Sequence, residues 1–295
     1  MDAERIGLLR NKVTFISGSS KNSGKTTFLN YILPRLRLLG DLAFLSIGID
    51  GEPRDRIFGT DKPIIKTERG DYLLTSESMM VQSDGSFEVL QVFPWNTALG
   101  KLLLLKTVRE GFIELVGPEN NNQLKHIIDT FQDSFGIHTV VIDGAVNRMT
   151  QISSSRESVF FYVIRITPDN ISRSLDKIRV ISSLSAMDTA GKADQNETVY
   201  FHNGALTGKV LKNIDEKFNT IVVDDFTKVF LDYRELQILL KSHKLHCKNK
   251  LNLEAFVLNL YDIEKSDVLL HLKDLKIRSP LIFNPYIIEG GGRID

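Results

Sequence analysis

Lys25 and Thr26, directly after Gly24, place an ammonium and a hydroxyl side by side where an apolar run gives way to a helix-period segment. Residues 13–30 read Val-Thr-Phe-Ile-Ser-Gly-Ser-Ser-Lys-Asn-Ser-Gly-Lys-Thr-Thr-Phe-Leu-Asn. The pattern predicts a strand, a tight polar loop and the start of a helix. A helix N-terminus leaves its first N–H groups without intrahelical acceptors and carries partial positive charge. A loop of small residues there can wrap N–H groups around a di- or triphosphate, which is the layout of a P-loop. In that layout Gly18, Ser19, Ser20, Lys21, Asn22, Ser23, Gly24, Lys25, Thr26 and Thr27 surround the phosphates. Lys25 is the expected catalytic cation, reaching the β- and γ-phosphates, and the Thr26 hydroxyl is an expected Mg²⁺ ligand. The expected cofactors are ATP and Mg²⁺.

One position departs from the pattern G-x-x-x-x-G-K-[ST]: the place of its first glycine is held by Ser19, and Gly18 lies one residue early. Gly18 can still relieve the turn out of the strand. The alternative reading is a polar loop between strand and helix that happens to contain Gly-Lys-Thr. Against it, an apolar strand pattern precedes the loop and an amphipathic helix pattern follows it. Pro34 should kink or shorten that helix before Gly40 ends it.

A second acid belongs with the loop. His138-Thr-Val-Val-Ile-Asp143-Gly-Ala is an apolar run with a carboxylate at its carboxyl end. That is the usual position of the acid that holds Mg²⁺, directly or through water, beside the loop's Ser/Thr. Ligands of open α/β sheets bind at these strand ends. The other reading of Asp143 is a cap or loop ion pair. Asp50 and Glu52, in Ile47-Gly-Ile-Asp-Gly-Glu, follow the second strand; an acid there either orients water, metal or a second substrate, or simply closes a turn beside Gly51 and Pro53. Asp50 is the candidate catalytic acid of this segment. Lys21 either adds charge to a phosphate or points to solvent, and Arg148 is a candidate phosphate or partner contact. His243-x-x-His246-Cys247 has metal-ligand residue types without a second pair, amid Lys241, Lys244 and Lys248, and reads as a solvated helix end. No G-x-S-x-G motif supports a hydrolase triad, and the lack of a convincing Asn-Lys-x-Asp segment favours ATP over GTP.

Composition narrows the class. The 295 residues carry 37 Lys+Arg against 37 Asp+Glu, so no charge excess points to nucleic acid or an anionic membrane. One cysteine, Cys247, excludes an internal disulfide framework and suits a reducing compartment. The opening Met-Asp-Ala-Glu-Arg lacks a signal-peptide pattern, and aliphatic runs such as Leu102–Leu105 are too short to span a bilayer. A cytoplasmic protein without a membrane partner is the expectation.

The elements that must hold these residues alternate. Strands are expected near Val13–Ser17, Leu42–Ile49, the run before Asp143, Val159–Ile166, Thr198–Phe201, Ile221–Val223, Ala255–Leu260 and Leu281–Phe283. Helices are expected after the loop, over Leu124–Phe135 up to Gly136, over Ile171–Leu184, and near Lys209–Phe218, Tyr233–His243 and Asp267–Leu275. Alternation of this kind predicts an α/β fold with a mostly parallel sheet covered on both faces. Residues 54–118 instead show short β-like runs, with Asp84-Gly85 as a hairpin turn, and read as a β-rich insertion at the sheet edge. The polar stretch Asp188–Glu197 suggests a boundary, giving a nucleotide-binding domain over 1–190 and a C-terminal α/β domain or extension over 191–295.

Lys21-Asn-Ser-Gly-Lys-Thr-Thr resembles the loop of the molybdopterin-guanine-dinucleotide accessory proteins (MobB), and Val141-Ile-Asp-Gly-Ala resembles the Walker B segment of dethiobiotin synthetase. A likeness over more of the chain is to the KamB family, the P-loop subunit of the lysine 5,6-aminomutase reactivase. It is carried by Ile47-Gly-Ile-Asp-Gly-Glu, Lys62-Pro-Ile-Ile, Leu115-Val-Gly-Pro, Ile142-Asp-Gly-Ala-Val-Asn-Arg and Ile221-Val-Val-Asp-Asp-Phe-Thr-Lys-Val-Phe. That resemblance implies a nucleotide-driven factor for a partner protein, a cobalamin-dependent aminomutase or second reactivase subunit. Proteins with this core often pair across the nucleotide site, so it also allows a homodimer. Two other functions stay open: an ATP-dependent carboxylate-activating ligase of the dethiobiotin-synthetase type, and a non-catalytic nucleotide-binding regulator.

Overall fold

The computed structural model describes residues 1, 3–47, 64–144, 157–190, 197–273, 277, 279–288 and 292–293. The fold is α/β, a large and mostly parallel sheet flanked by helices. The chain forms two compact units: Met1–Gly18, Gly24–Arg148 and Pro285–Asp295 make the first, and Ser19–Ser23 with Met149–Asn284 make the second. Asp188–Glu197, where composition suggested a boundary, falls inside the second unit.

The first unit begins with α1 (Ala3–Gly7), β1 (Val13–Gly18), α2 (Lys25–Arg37) and β2 (Leu42–Ser46). Next come β3 (Ile65–Thr67), β4 (Tyr72–Ser76), α3 (Glu77–Gln82), β5 (Ser86–Thr97), β6 (Gly100–Arg109), β7 (Gly111–Ile113), α4 (Asn121–Asp129) and β8 (Thr139–Asp143). β2 and β8 are buried along their whole length, and β1 over Val13–Ser17, as parallel strands covered on both faces must be. Strand order in this unit is β1-β8-β2-β4-β6-β5. The first four are mutually parallel, and β6 and β5 extend the run in antiparallel fashion. Of the β-rich stretch, β6 and β5 lie at this edge of the sheet, and β4 continues the parallel run. β3 and β7 form a separate antiparallel ribbon.

Local composition and tertiary packing compete at several points in this unit. Pro34 lies inside α2, which runs on to Arg37. An interior proline costs about 3 kcal/mol, but Phe28, Leu29, Ile32, Leu33 and Leu36 on this helix are buried. Each such side chain contributes about 1.5–3 kcal/mol on leaving water, so packing outweighs the proline. Asp84-Gly85 is not a hairpin turn: it joins α3 to β5, and the Asp84 carboxylate accepts from the Phe112 N–H at 2.6 Å. The β5–β6 turn lies at Thr97–Gly100, where Gly100 supplies a left-handed φ of 94°. α3, six residues long, is a short helix within this β-rich stretch.

The far end of α2 is fixed by charge. Arg37 donates through Nε to Asp71 Oδ1 at 3.0 Å and through a terminal nitrogen to Asp71 Oδ2 at 2.7 Å. It also reaches Glu68 Oε1 and the Lys66 carbonyl, each at 3.0 Å. Asp71 is buried and accepts further from the Glu68 N–H at 2.7 Å. Removing one partner of a buried pair strands the other's charge, at about 3–5 kcal/mol. Arg37→Met should therefore lower the midpoint of urea unfolding by that much in free energy, and an unchanged midpoint would show the pair to be solvated and weak.

The second unit contains β9 (Ser158–Ile166), α5 (Ile171–Ser185), β10 (Asp188–Thr189), β11 (Val199–Phe201), β12 (Leu206–Thr207) and α6 (Gly208–Leu211). β13 (Thr220–Val223), β14 (Val229–Phe230), α7 (Tyr233–Ser242), β15 (Lys244–Cys247), β16 (Asn252–Leu260), α8 (Lys265–Leu272) and β17 (Leu281–Phe283) complete it. Two parallel arrays result, β17-β16-β9 and β10-β15-β13-β11, with β12 and β14 as a small parallel pair. α5 packs on β9 and β16 through an apolar face that includes Leu175 and Ile178. α6 is only four residues long, against the ten expected over Lys209–Phe218; Lys209, Lys212, Glu216 and Lys217 leave too little apolar stripe to bury. The chain then closes in the first unit with the antiparallel pair β18 (Ile287–Ile288) and β19 (Gly292–Arg293). Among the described residues no helix is long and apolar enough to cross a membrane.

Candidate phosphate and metal site

Asp143 ends β8 between two parallel neighbours, opposite Ile16 of β1 and Ser46 of β2. Its carbonyl accepts from the Ile47 N–H at 2.8 Å. Gly144 follows at a φ of 153°, and a Cβ there would come within 2.8 Å of the Ile47 side chain. The chain thus turns off the strand end in a space that only glycine fits. The Asp143 side chain is 8% exposed, and its Oδ2 accepts from the Thr26 hydroxyl at 2.9 Å. The two residues read from sequence as Mg²⁺ ligands are therefore neighbours, although 117 positions apart.

Thr26 is held there by the start of α2. Gly24 is the N-cap residue, left-handed at φ 93° and ψ 23°, a conformation that glycine adopts without steric cost. It brings no capping side chain, and the helix's first turn carries no acid. α7 shows what the same chain does elsewhere. There Asp232 accepts from the Glu235 N–H at 2.7 Å, and Glu235 accepts from the Asp232 N–H at 3.1 Å, closing a capping box. Omitting a cap forgoes about 1 kcal/mol. At α2 no capping side chain occupies the positive helix end, which leaves room for an anion there.

The loop before Gly24 is polar and partly outward. Ser20, Lys21 and Asn22 are exposed, as is Thr27 beyond the cap, and Asn22 takes a left-handed φ of 58°. Ser23, by contrast, is only 1% exposed. Residues 19–23 fold with the second unit, and hydrogen bonds to β9, α5 and β16 are among their contacts there. The Ser19 N–H donates to the Val163 carbonyl of β9 at 3.0 Å, and the Ser19 carbonyl accepts from Lys177 Nζ of α5 at 3.1 Å. The Ser23 carbonyl accepts from Asn259 Nδ2 of β16 at 2.7 Å. Ser19, the position that departs from the glycine pattern, is accommodated through its backbone.

Asp50, Glu52 and Arg148 lie outside the described residues. Lys177 and Asn259 went unremarked in the sequence. The available signal was Asn259 itself, a polar residue in the otherwise apolar run Ala255–Leu260. Gly117 is another: a Cβ on it would overlap the Ser46 carbonyl, so only glycine lets the Leu115–Pro118 strand of chain lie over the end of β2, where the Ser46 hydroxyl donates to the Leu115 carbonyl at 3.2 Å.

His246 and Cys247 correct an expectation. They are not at a solvated helix end but on β15, with Leu245, His246 and Cys247 all buried. α7 stops one turn earlier, at Ser242, and the chain enters the sheet directly. Burial pushes the Cys247 thiol up, so it stays protonated and unreactive at neutral pH. Among the described residues no group of three His, Cys, Asp or Glu is placed to hold a metal ion. A hydroxyl and one carboxylate are a hard-oxygen set that suits Mg²⁺, which keeps waters and takes its other ligands from phosphates. No protein-family model and no curated protein matches this chain.

Proposed function

We propose that this chain binds a Mg²⁺-nucleotide, ATP by preference, on the loop Gly18–Thr27, and acts as a nucleotide-driven factor on a partner protein. The observation that carries the reading is the 2.9 Å Thr26–Asp143 hydrogen bond at the foot of a helix whose N-terminus has no side-chain cap. Phosphate oxygens would meet the first N–H groups of α2 and the Lys25 ammonium. Thr26 and Asp143 would hold the ion, which when bound neutralises charge between the β- and γ-phosphates. Asp143 would also fix the Thr26 hydroxyl by accepting its proton, leaving the hydroxyl's lone pairs for a cation. Asp50 is the proposed acid for orienting water.

The role toward a partner rests on the KamB likeness and on the amount of chain beyond a minimal nucleotide site. A nucleotide can shift a partner's affinity only if it favours one of two states, and linkage makes that coupling reciprocal. Release of inorganic phosphate from Mg-ATP, measured on the chain alone, with small carboxylic acids and with candidate aminomutase components, tests the reading. Stimulation by a mutase or reactivase subunit is the expected result. Stimulation by a carboxylic acid with no protein present would replace it with the ligase function.

A further inference from the structure

Asn259 is the last-but-one residue of β16, fully buried in a strand whose neighbours Ala255–Leu258 are all buried and apolar. A buried amide is costly unless hydrogen-bonded. Its Nδ2 is committed to the Ser23 carbonyl at 2.7 Å, and its Oδ1 has no hydrogen-bond partner among the described residues. Lys177, half-buried on α5, commits its ammonium to the Ser19 carbonyl at 3.1 Å. These two donors grip the loop at its two ends, on the first and last of residues 19–23.

In a planar trans peptide the C=O and the following N–H point in opposite directions. A donor that captures the Ser19 carbonyl therefore turns the Ser20 N–H away from α5, and one that captures the Ser23 carbonyl fixes the plane of the peptide that carries the Gly24 N–H. The Gly24 N–H opens the helix end at which a phosphate would sit.

We propose that Asn259 and Lys177 are positioning residues of the phosphate loop: they hold two carbonyls of the loop aside and so aim its N–H groups at the bound anion. The inference rests on the nucleotide-binding reading above. Neither side chain touches the nucleotide in this scheme. They act by keeping carbonyl oxygens, which would repel phosphate, out of the cradle, and by sparing the loop its ordering cost on binding.

The test compares wild type, Asn259→Leu, Lys177→Met and Lys177→Arg in the full-length chain, reading the dissociation constant for Mg-ATP and the melting temperature without nucleotide. Asn259→Leu keeps the volume but loses the donor, and should weaken Mg-ATP about tenfold. Lys177→Met should weaken it about threefold, with Lys177→Arg restoring most of the loss. Lys177 is not fully buried, so its pair of variants decides the matter if Asn259→Leu does not fold. Unchanged affinity in Lys177→Met and in any folded Asn259→Leu, with wild type binding well, would overturn the positioning role alone. A loss of affinity that only tracks a loss of melting temperature, with no rescue by Lys177→Arg, would do the same. A folded wild type that binds neither Mg-ATP nor Mg-GTP would overturn the nucleotide reading, and this inference with it.

Discussion

Saturating Mg-ATP should raise the melting temperature of the wild-type chain, and Lys25→Ala should abolish most of the rise. A ligand at 100 times its dissociation constant stabilises the state that binds it by about 2.7 kcal/mol. For a chain of this size that is a shift of roughly 5 °C. Lys25 opens α2, directly after Gly24. Its ammonium is the only cation in Ser23–Thr27, the segment that forms the helix end. Alanine favours helix, so the substitution should leave α2 formed. The shift is read for each protein against its own melting temperature without nucleotide, which isolates the effect on binding. A mutant that keeps the full wild-type shift would show that the charge beside Gly24 does not meet phosphate.

Asp143→Asn should keep the fold and weaken Mg²⁺-dependent binding. The amide has nearly the same shape, and its oxygen can still accept from Thr26 at the position of Oδ2. What it lacks is the negative charge that hard Mg²⁺ prefers. Loss of an acid that holds the ion, directly or through water, should weaken metal-dependent binding about 10- to 100-fold. Thr26→Ala should produce the same phenotype through the other member of the pair. A titration of Mg²⁺ at fixed nucleotide measures both. If Asp143→Asn shows the wild-type Mg²⁺ profile, Asp143 serves only to hold the end of β8 and the first turn of α2.

The residues of this pair were legible because their signals are local. An apolar run ending in an acid and a Gly-Lys-Thr ahead of a helical period each need only about ten residues of context. β1, β2, β8 and β9 were legible for the same reason, since strands buried on both faces are continuous apolar runs. Where tertiary burial outvotes local chemistry, the reading failed. Leu245, His246 and Cys247 sit among lysines in sequence but inside a sheet in space. Asp84-Gly85 has the composition of a hairpin turn, but its carboxylate is taken by the Phe112 backbone. The roles of Lys177 and Asn259 were out of reach, although Asn259 stands out as a polar residue in an apolar run, because their partners in the loop lie 158 and 236 residues away.

The measurement that bears most directly on the phosphate site is a calorimetric titration of ATP, and in parallel GTP, into the full-length chain with and without Mg²⁺. The expected result is saturable binding of one nucleotide per chain that needs Mg²⁺ and favours ATP. A folded chain that takes up neither nucleotide at millimolar concentration, with Mg²⁺ present, would contradict it and leave Gly24-Lys25-Thr26 as no more than the turn between β1 and α2.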